Sequence, residues 1–222
     1  MKSGEEDSLG RTGLAFFGKL SAGVAHEIKN KLAILKEESG LISDLFLAAA
    51  RGRPLDTSRI QELVQKMNLR LDLIDEIVSR LSRFAHSVDE TRKTFDLSEL
   101  LSLEFGLCQR FAAIKKVTLE LSPAPYQVQI TNNPFLLMHL LYLIIARGLE
   151  TAAEGGKLTA EVHDSRETAY VSFSGSFTGP LFRQRPAPEN LETILGLLGA
   201  TLVEEENPTR LVVQLAKDLH QL

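Results

Sequence analysis

His26 is the residue of this 222-residue sequence whose type and surroundings best suit it to chemistry. A neutral imidazole is a good nucleophile near pH 7, because its unperturbed pKa is about 6.5. The next residue, Glu27, can accept a hydrogen bond from the other ring N–H and so fix the tautomer. Asn30, one helical turn later, can hold phosphoryl oxygens or an attacking water. Together these residues predict phosphoryl transfer, which needs positioning and charge stabilisation more than covalent help.

The helical wheel places His26 on a polar face. With Leu35 at zero and a step of about 100° per residue, Val24 and Ile28 fall within roughly 20° of it. His26 falls at about 180°, directly opposite this apolar stripe. We therefore expect an exposed, flat and cationic face that docks a macromolecule, formed around His26 by Lys19, Ala22, Lys29 and Ala33. On the wheel alone, an idle solvated histidine remains the simpler alternative.

The first half of the chain predicts two long helices. Apolar residues recur at three- and four-residue steps from Leu14 to about Ala50, and again from Ile60 towards His86. The intervening segment RGRPLDTS carries stop and start signals for helices, so the helices should form an antiparallel hairpin. A lone hairpin cannot bury such long stripes. We expect two copies to pair as a four-helix bundle, the alternative being an internal part of a larger helical domain.

The second half mixes helices and strands. A polar stretch, 87–94, separates the halves, which predicts a helical domain at 1–94 and a second domain at 95–222. Helices are predicted at 97–114, 134–150 and 188–198, and strands at 117–121, 126–130, 157–163, 169–174, 201–205 and 210–215. Mostly antiparallel strands with these helices predict an α+β fold, in which one helical layer covers a sheet as an α/β sandwich.

The composition of the chain limits the kinds of partner it can bind and the cellular compartment in which we expect it. The chain is 44% hydrophobic and 24% charged, as in ordinary folded proteins, and its formal charge of −4 argues against coating nucleic acid. Cys108 is the single cysteine, so no intrachain disulfide can form. The apolar run 135–146 is far shorter than the roughly 20 residues of a membrane span, and the polar N-terminus does not resemble a signal peptide. We expect a cytoplasmic protein without nucleic acid or membrane partners.

The segment 17–35, FGKLSAGVAHEIKNKLAIL, resembles the phosphoacceptor box of two-component sensor histidine kinases. That box typically reads H-E-[IL]-x-N-P-L and is preceded by L-x-x-x-x-A. The resemblance implies that His26 is phosphorylated, that Glu27 is an acid/base or orienting residue, and that two hairpins form a dimeric four-helix bundle. The sequence departs at Lys31, where the family usually has proline. Without that proline we expect a straighter helix.

The second half resembles the ATP-binding domain of the same family in its order of elements, but not in its nucleotide motifs. Tyr142 and Ala146 stand where the family has the two asparagines of its N-x-x-x-N box. The segment SFSGSFTGP replaces the D-x-G-x-G motif, and only Gly196 and Gly199 remain of the later glycine box. These losses leave no magnesium chelator and no adenine anchor. They are similar to those of dimeric histidine phosphotransferases, which have a kinase-like hairpin followed by a degenerate kinase-like domain.

The resemblance therefore implies a histidine phosphotransferase of a phosphorelay. His26 would accept a phosphoryl group from the aspartate of a receiver domain and pass it to another receiver. We expect no cofactor on this chain and no ATP binding, with Mg²⁺ held by the partner receiver. Two alternatives stay open: an atypical ATP-dependent sensor histidine kinase core, and a non-catalytic pseudokinase that binds response regulators.

The remaining candidates have structural explanations. We predict that His139 and Cys108 are core residues of their helices, because both lie among apolar neighbours. His86, His163 and His220 should be surface residues, and Arg183 and Arg185 should lie in a solvated loop.

Overall fold

A computed structural model describes residues 3–124, 126–182, 186–206 and 209–218. Arg183, Arg185 and His220, for which the sequence predicts surface positions, lie outside these residues. The chain divides into two compact units, one formed by residues 21–83 and the other by the residues up to 20 together with those from 84 onward. The predicted domain boundary near residue 94 stays a prediction.

The smaller unit is a helical hairpin, as predicted. Helix α1 spans Ser3–Ala50 and helix α2 spans Thr57–Ala85. The chain turns at Gly52, whose φ of +87° favours glycine, and α2 begins where the Asp56 carboxylate accepts the Arg59 N–H at 2.9 Å. The buried Glu38 carboxylate accepts a hydrogen bond from Nε of Arg70 at 3.1 Å. These two residues are nearly equidistant from the turn, as antiparallel helices require.

Among the described residues, the larger unit contains two sheets, three further α-helices and a short 3-10 helix at His86–Val88. In chain order its elements are β1 (Lys93–Asp96), α3 (Leu97–Lys115), β2 (Thr118–Leu121), β3 (Gln129–Asn132), α4 (Pro134–Thr151), β4 (Lys157–Asp164), β5 (Thr168–Gly175), α5 (Leu191–Leu198), β6 (Ala200–Glu206) and β7 (Thr209–Ala216). The main sheet has the order β2-β4-β5-β7-β6, in which only β2 and β4 are parallel. The predicted α/β sandwich is confirmed.

The core of the larger unit lies between this sheet and the helices. Strand β5 buries alternate residues along much of its length, and Val171 pairs with Val213 of β7 in the ladder. Helix α4 is apolar on nearly every side and is mostly buried. Among the described helices it is also the one whose length and hydropathy would allow it to cross a membrane, although two thirds of it (67%) is buried inside the protein, as in a core helix.

The sequence-based prediction missed strand β1 and misplaced β3. Residues 93–94 were assigned to a polar linker, but β1 pairs antiparallel with β3, with Phe95 opposite Ile130. The Asp96 carboxylate explains the register, because it accepts the N–H of Glu99 at the start of α3 and that of Val128 just before β3. This second bond comes from a residue far along the chain, so local patterns do not reveal it.

The first residues of α1 belong to the larger unit. Phe16 is buried against Phe84 and Phe135, with ring centroids 5.4 and 5.5 Å away. The side-chain amide of Asn190 donates to the hydroxyls of Ser8 and Thr12. Helix α1 therefore begins eleven residues earlier than its predicted start at Leu14, because these tertiary contacts hold its polar first turns.

Candidate functional site

His26 lies on the exposed side of α1. Val24 and Leu35 of the predicted apolar stripe are buried, whereas the imidazole faces away from them. Within the described residues, no side chain forms a hydrogen bond with the His26 ring. Both ring nitrogens are therefore free to react with, or to bind, a group brought by another molecule.

Glu27 is paired with Lys31. The Lys31 Nζ lies 3.9 Å from Oε1 of Glu27, and both side chains are partly buried, with 24% and 31% of their surfaces exposed. Such an i,i+4 pair stabilises a helix by about 0.2–0.5 kcal/mol. The expected hydrogen bond from the His26 ring to Glu27 is not formed in this arrangement. The Glu-to-Lys spacing is visible in the sequence, so the pair could have been predicted.

Helix α1 continues through Lys31 without interruption. Lysine keeps the backbone N–H that proline would remove, and so it preserves the helical hydrogen bond at this position. The departure from the family pattern thus has two local consequences: an unbroken helix and a cationic neighbour for Glu27.

The residues of the predicted docking face fall into two groups. Ala22, Lys29, Asn30 and Ala33 are exposed in the smaller unit. Lys19 belongs to the larger unit, where its Nζ lies 5.5 Å from the centre of the Tyr142 ring. This cation–π contact occupies Lys19 with its own chain.

The positions of the expected nucleotide motifs carry the wrong chemistry for magnesium and ATP. Tyr142 is buried and Ala146 has only a methyl group, so neither supplies the carboxamide oxygen of the asparagine box. At the residue after Ala146, the Arg147 guanidinium lies 5.8 Å from the Phe182 ring and donates to the Pro186 carbonyl at 2.9 Å. Within the described residues, no three His, Cys, Asp or Glu side chains come together to hold a metal ion. These residues do not fit a magnesium–nucleotide site of the family's kind.

The segment after β5 packs against α4. The hydroxyl of Thr178 donates to the carbonyl of Thr151 at 2.9 Å, and Gly148 faces the Phe177 ring. The buried carboxylate of Glu204 accepts the backbone N–H groups of Leu181 and Phe182. Hydrogen bonds to α4 and to β6 thus hold the first part of the connection between β5 and α5 in place.

Two buried titratable groups lie in the larger unit. Glu104 is completely buried, and burial raises the pKa of its carboxyl to about 8. The Cys108 thiol donates to Oε1 of Glu104 at 3.5 Å, while Oε2 has no hydrogen-bond partner among the described residues. Burial also raises the pKa of Cys108 well above its usual range. Glu104 is not among the residues predicted from the sequence, although an acidic residue flanked by Leu103 and Phe105 within a largely apolar helix is a recognisable signal.

The predictions for His86, His139 and His163 agree with the structure. His139 is buried and stacks on Phe16 at a centroid distance of 4.7 Å, and burial lowers its pKa to about 4. His86 and His163 are exposed. Each lies near a carboxylate that the sequence analysis overlooked, Asp89 at 2.7 Å and Glu161 at 3.3 Å respectively.

The comparison with known proteins shows that most of the chain is similar to sensor histidine kinases. No protein family model matches. The chain is 26% identical over 174 residues to the sensor histidine kinase ZraS of Klebsiella oxytoca, covering 77% of this chain and 36% of that protein. It is 23% identical over 182 residues to ZraS of Salmonella typhimurium, covering 82% and 36% respectively. The chain thus spans about a third of the length of these relatives.

Solved structures agree at the level of the fold. The catalytic domain of histidine kinase ThkA, in a nucleotide-free form, matches with a TM-score of 0.51 and 13% identity, covering 60% of this chain and all of that domain. A second nucleotide-free form matches with a TM-score of 0.51 and 14% identity, over the same 60% of this chain. The chain is therefore histidine kinase-like, with a helical N-terminal region followed by an α/β sandwich that resembles the kinase ATPase domain.

Proposed function

We propose that this chain is a histidine phosphotransferase that relays a phosphoryl group between the aspartates of two receiver domains through His26. One observation carries the proposal: an exposed imidazole, which has no hydrogen-bond partner among the described residues, lies in an H-E-I-K-N segment of an unbroken helix. The state of the asparagine-box positions supports a donor other than ATP, because Tyr142 and Ala146 cannot chelate magnesium.

The transfer balances without a further co-reactant. A neutral ring nitrogen of His26 attacks the phosphorus of the aspartyl phosphate, the P–O bond to the aspartate breaks, and the carboxylate leaves with the bonding electrons. The imidazole then loses the proton of its other nitrogen to solvent or to a carboxylate, which leaves a phosphohistidine. Attack by the aspartate of a second receiver reverses these steps.

Neighbouring residues would assist by charge and position. Asn30 lies one helical turn after His26 and can donate to the phosphoryl oxygens, while the ammonium of Lys29 offsets their charge. Glu27 can orient the imidazole if its carboxylate exchanges Lys31 for the ring N–H. This exchange costs little, because a partly exposed i,i+4 pair with its charged atoms 3.9 Å apart is weak. Mg²⁺ would be supplied by the acidic pocket of the receiver.

The proposed partners are receiver domains and a second copy of this chain in the cytoplasm. A receiver would dock around His26 on the face formed by Ala22, Lys29 and Ala33, with Lys19 contributing if it leaves Tyr142. Dimerisation through the hairpin is supported by exposed apolar surface. Eleven of the seventeen large apolar side chains that are exposed among the described residues lie between residues 21 and 83. A second hairpin would bury those that face it.

A second candidate function is that of an ATP-dependent sensor histidine kinase core. The similarity to ZraS favours it, because it extends over 77% of this chain and is therefore not confined to the phosphoacceptor segment. The two functions differ in the phosphoryl donor: Mg-ATP for the kinase and a phosphorylated receiver for the phosphotransferase.

Radiolabelling with the two donors separates these functions. The purified chain is incubated either with Mg-[γ-³²P]ATP or with receiver domains of the source organism that have been phosphorylated by ³²P-acetyl phosphate. We expect acid-labile label on the chain only from a receiver, and none on the His26→Gln variant. His86→Gln, which removes another exposed histidine, should label normally. Label from ATP would establish the kinase, and the absence of label from both donors would favour a non-catalytic pseudokinase.

A further inference from the structure

We propose that the groove between α3 and α4 binds a small aromatic carboxylate. The groove encloses about 150 Å³ and is predominantly apolar. Its walls are formed by α3 and α4, and its rim includes Lys19 from the first part of α1. All of these residues belong to the larger unit. The inference does not depend on phosphotransfer by His26.

The size and shape of the groove suit a single aromatic ring. A cavity of about 150 Å³ accommodates a benzene molecule. Phe111 and Tyr142 both line the groove, with ring centroids 6.4 Å apart and planes at 70°. A ligand ring between two rings at this angle can make an edge-to-face contact with one of them and an offset-stacked contact with the other. Ala146 supplies only a methyl group to the wall and so leaves the space between the helices open.

The positive charges at the rim of the groove favour an anionic ligand. Lys19 and Lys115 both line the groove, and neither ammonium has a carboxylate partner among the described residues. The carboxylate of the lining residue Glu150 is already 3.7 Å from the guanidinium of Arg147. The rim thus carries two ammonium groups without a carboxylate partner in the described part of the chain. The Lys19 ammonium also contacts the Tyr142 ring, and a ligand carboxylate would complement the charge of both lysines.

The buried end of the groove carries a polar but uncharged group, the thiol of Cys108, and so favours an uncharged part of a ligand. Cys108 lines it, and its thiol is hydrogen-bonded to the fully buried Glu104. Oε2 of Glu104 has no hydrogen-bond partner in the described part of the chain. A ligand would therefore place its ring inside, against Cys108 and Ala146, and its carboxylate outside, near Lys19 and Lys115.

Phenylacetate is a suitable probe, with phenylacetamide and acetate as matched controls that lack the charge or the ring. Each is titrated into the full chain, and methyl NMR signals of Ile114, Ile145 and Leu149 are followed. We expect saturable shifts with phenylacetate, and binding at least about tenfold weaker with either control. Ala146→Phe should abolish binding by filling the groove, whereas Ala113→Phe, on the exposed face of α3, should not.

A second pair of variants tests the charge. Lys19→Gln should weaken phenylacetate binding about tenfold, and Lys36→Gln, another exposed lysine of α1, should leave it unchanged. The proposal is overturned if phenylacetate gives no saturable shift up to about 10 mM, if phenylacetamide binds equally well, or if Ala146→Phe retains binding. Displacement of phenylacetate by Mg-ATP would also overturn it and assign the groove to a nucleotide.

Discussion

Replacing Glu104 with glutamine tests whether a neutral carboxyl group is buried in the larger unit. Glu104 is fully buried, and its pKa of about 8 lies well above its ordinary value of 4.5. The folded state therefore binds more protons than the unfolded state between these two values, so its stability falls as the pH rises. Glutamine keeps the shape of the side chain and still accepts from the Cys108 thiol, but it does not titrate.

The size of the effect follows from the two pKa values. At 1.36 kcal/mol per pH unit, the interval from 4.5 to about 8 amounts to roughly 5 kcal/mol once the group is ionised in both states. Between pH 5 and pH 8, Glu104 should lower the free energy of unfolding by roughly 3 kcal/mol. The Glu104→Gln variant lacks this loss, so it should gain about that much relative to the wild type over the same interval.

Urea unfolding at pH 5, 6.5 and 8, followed by circular dichroism, measures the difference between the variant and the wild type. Contributions from other titrating groups cancel in this difference. Glu192→Gln, which removes an exposed carboxyl of α5, is the control and should differ from the wild type by a constant amount. If the difference in the free energy of unfolding between Glu104→Gln and the wild type is the same at every pH, or if the variant becomes relatively less stable at pH 8, then Glu104 is not a buried neutral carboxyl group.

Three further outcomes are expected. Phe16→Ala should cost about 3–5 kcal/mol in the free energy of unfolding, because it empties the centre of the aromatic cluster, whereas Leu14→Ala, with Leu14 73% exposed, should cost less than about 0.5 kcal/mol in the same denaturation assay. Between pH 6.5 and 4 only the unfolded state protonates His139, because burial lowers the pKa of this residue in the folded state to about 4; the wild type should therefore lose up to roughly 3 kcal/mol of stability over this interval. His139→Phe should not show this loss in thermal denaturation at a series of pH values, and an acid dependence equal to that of the wild type would contradict the prediction. Leu71→Glu should convert a dimer into a monomer in light scattering, while Val88→Glu should not, and an unaltered mass for the first variant would exclude this hairpin face from the dimer interface.

Local sequence signals predicted most of the elements. Helix α3 begins after Asp96, whose carboxylate accepts the Glu99 N–H, and α4 begins with Pro134 after the capping residue Asn133. The alternation of β5 and β7 was equally clear. In each case the information lies within a few residues of the element, so no knowledge of the tertiary fold was required.

Non-local contacts account for what was missed. Strand β1 is four residues long and partly polar, and its pairing with β3 depends on a partner segment beyond two intervening elements. The docking of residues 3–20 on the larger unit depends on Phe135 and Asn190, which are distant in sequence. No pattern within α1 shows that its polar first turns will be held in this way.

The candidate site shows the same division. The wheel correctly placed His26 on the exposed side of α1, because exposure follows from periodicity. The pairing of Glu27 with Lys31 could also have been read from the i,i+4 spacing. The contact of Lys19 with Tyr142 could not, since it requires the position of α4 relative to the start of α1 within the larger unit.

The most direct test of the account is a pulse-chase experiment on His26. A receiver carrying a ³²P-aspartyl phosphate is mixed with the full chain, and an excess of a second, unlabelled receiver is then added. We expect the label to pass through an acid-labile phosphohistidine, which peptide mapping assigns to residue 26, before it reaches the second receiver. His26→Gln should stop the transfer, and His163→Gln should not. Transfer that proceeds equally with His26→Gln, or label that first enters the chain from Mg-ATP, would contradict it.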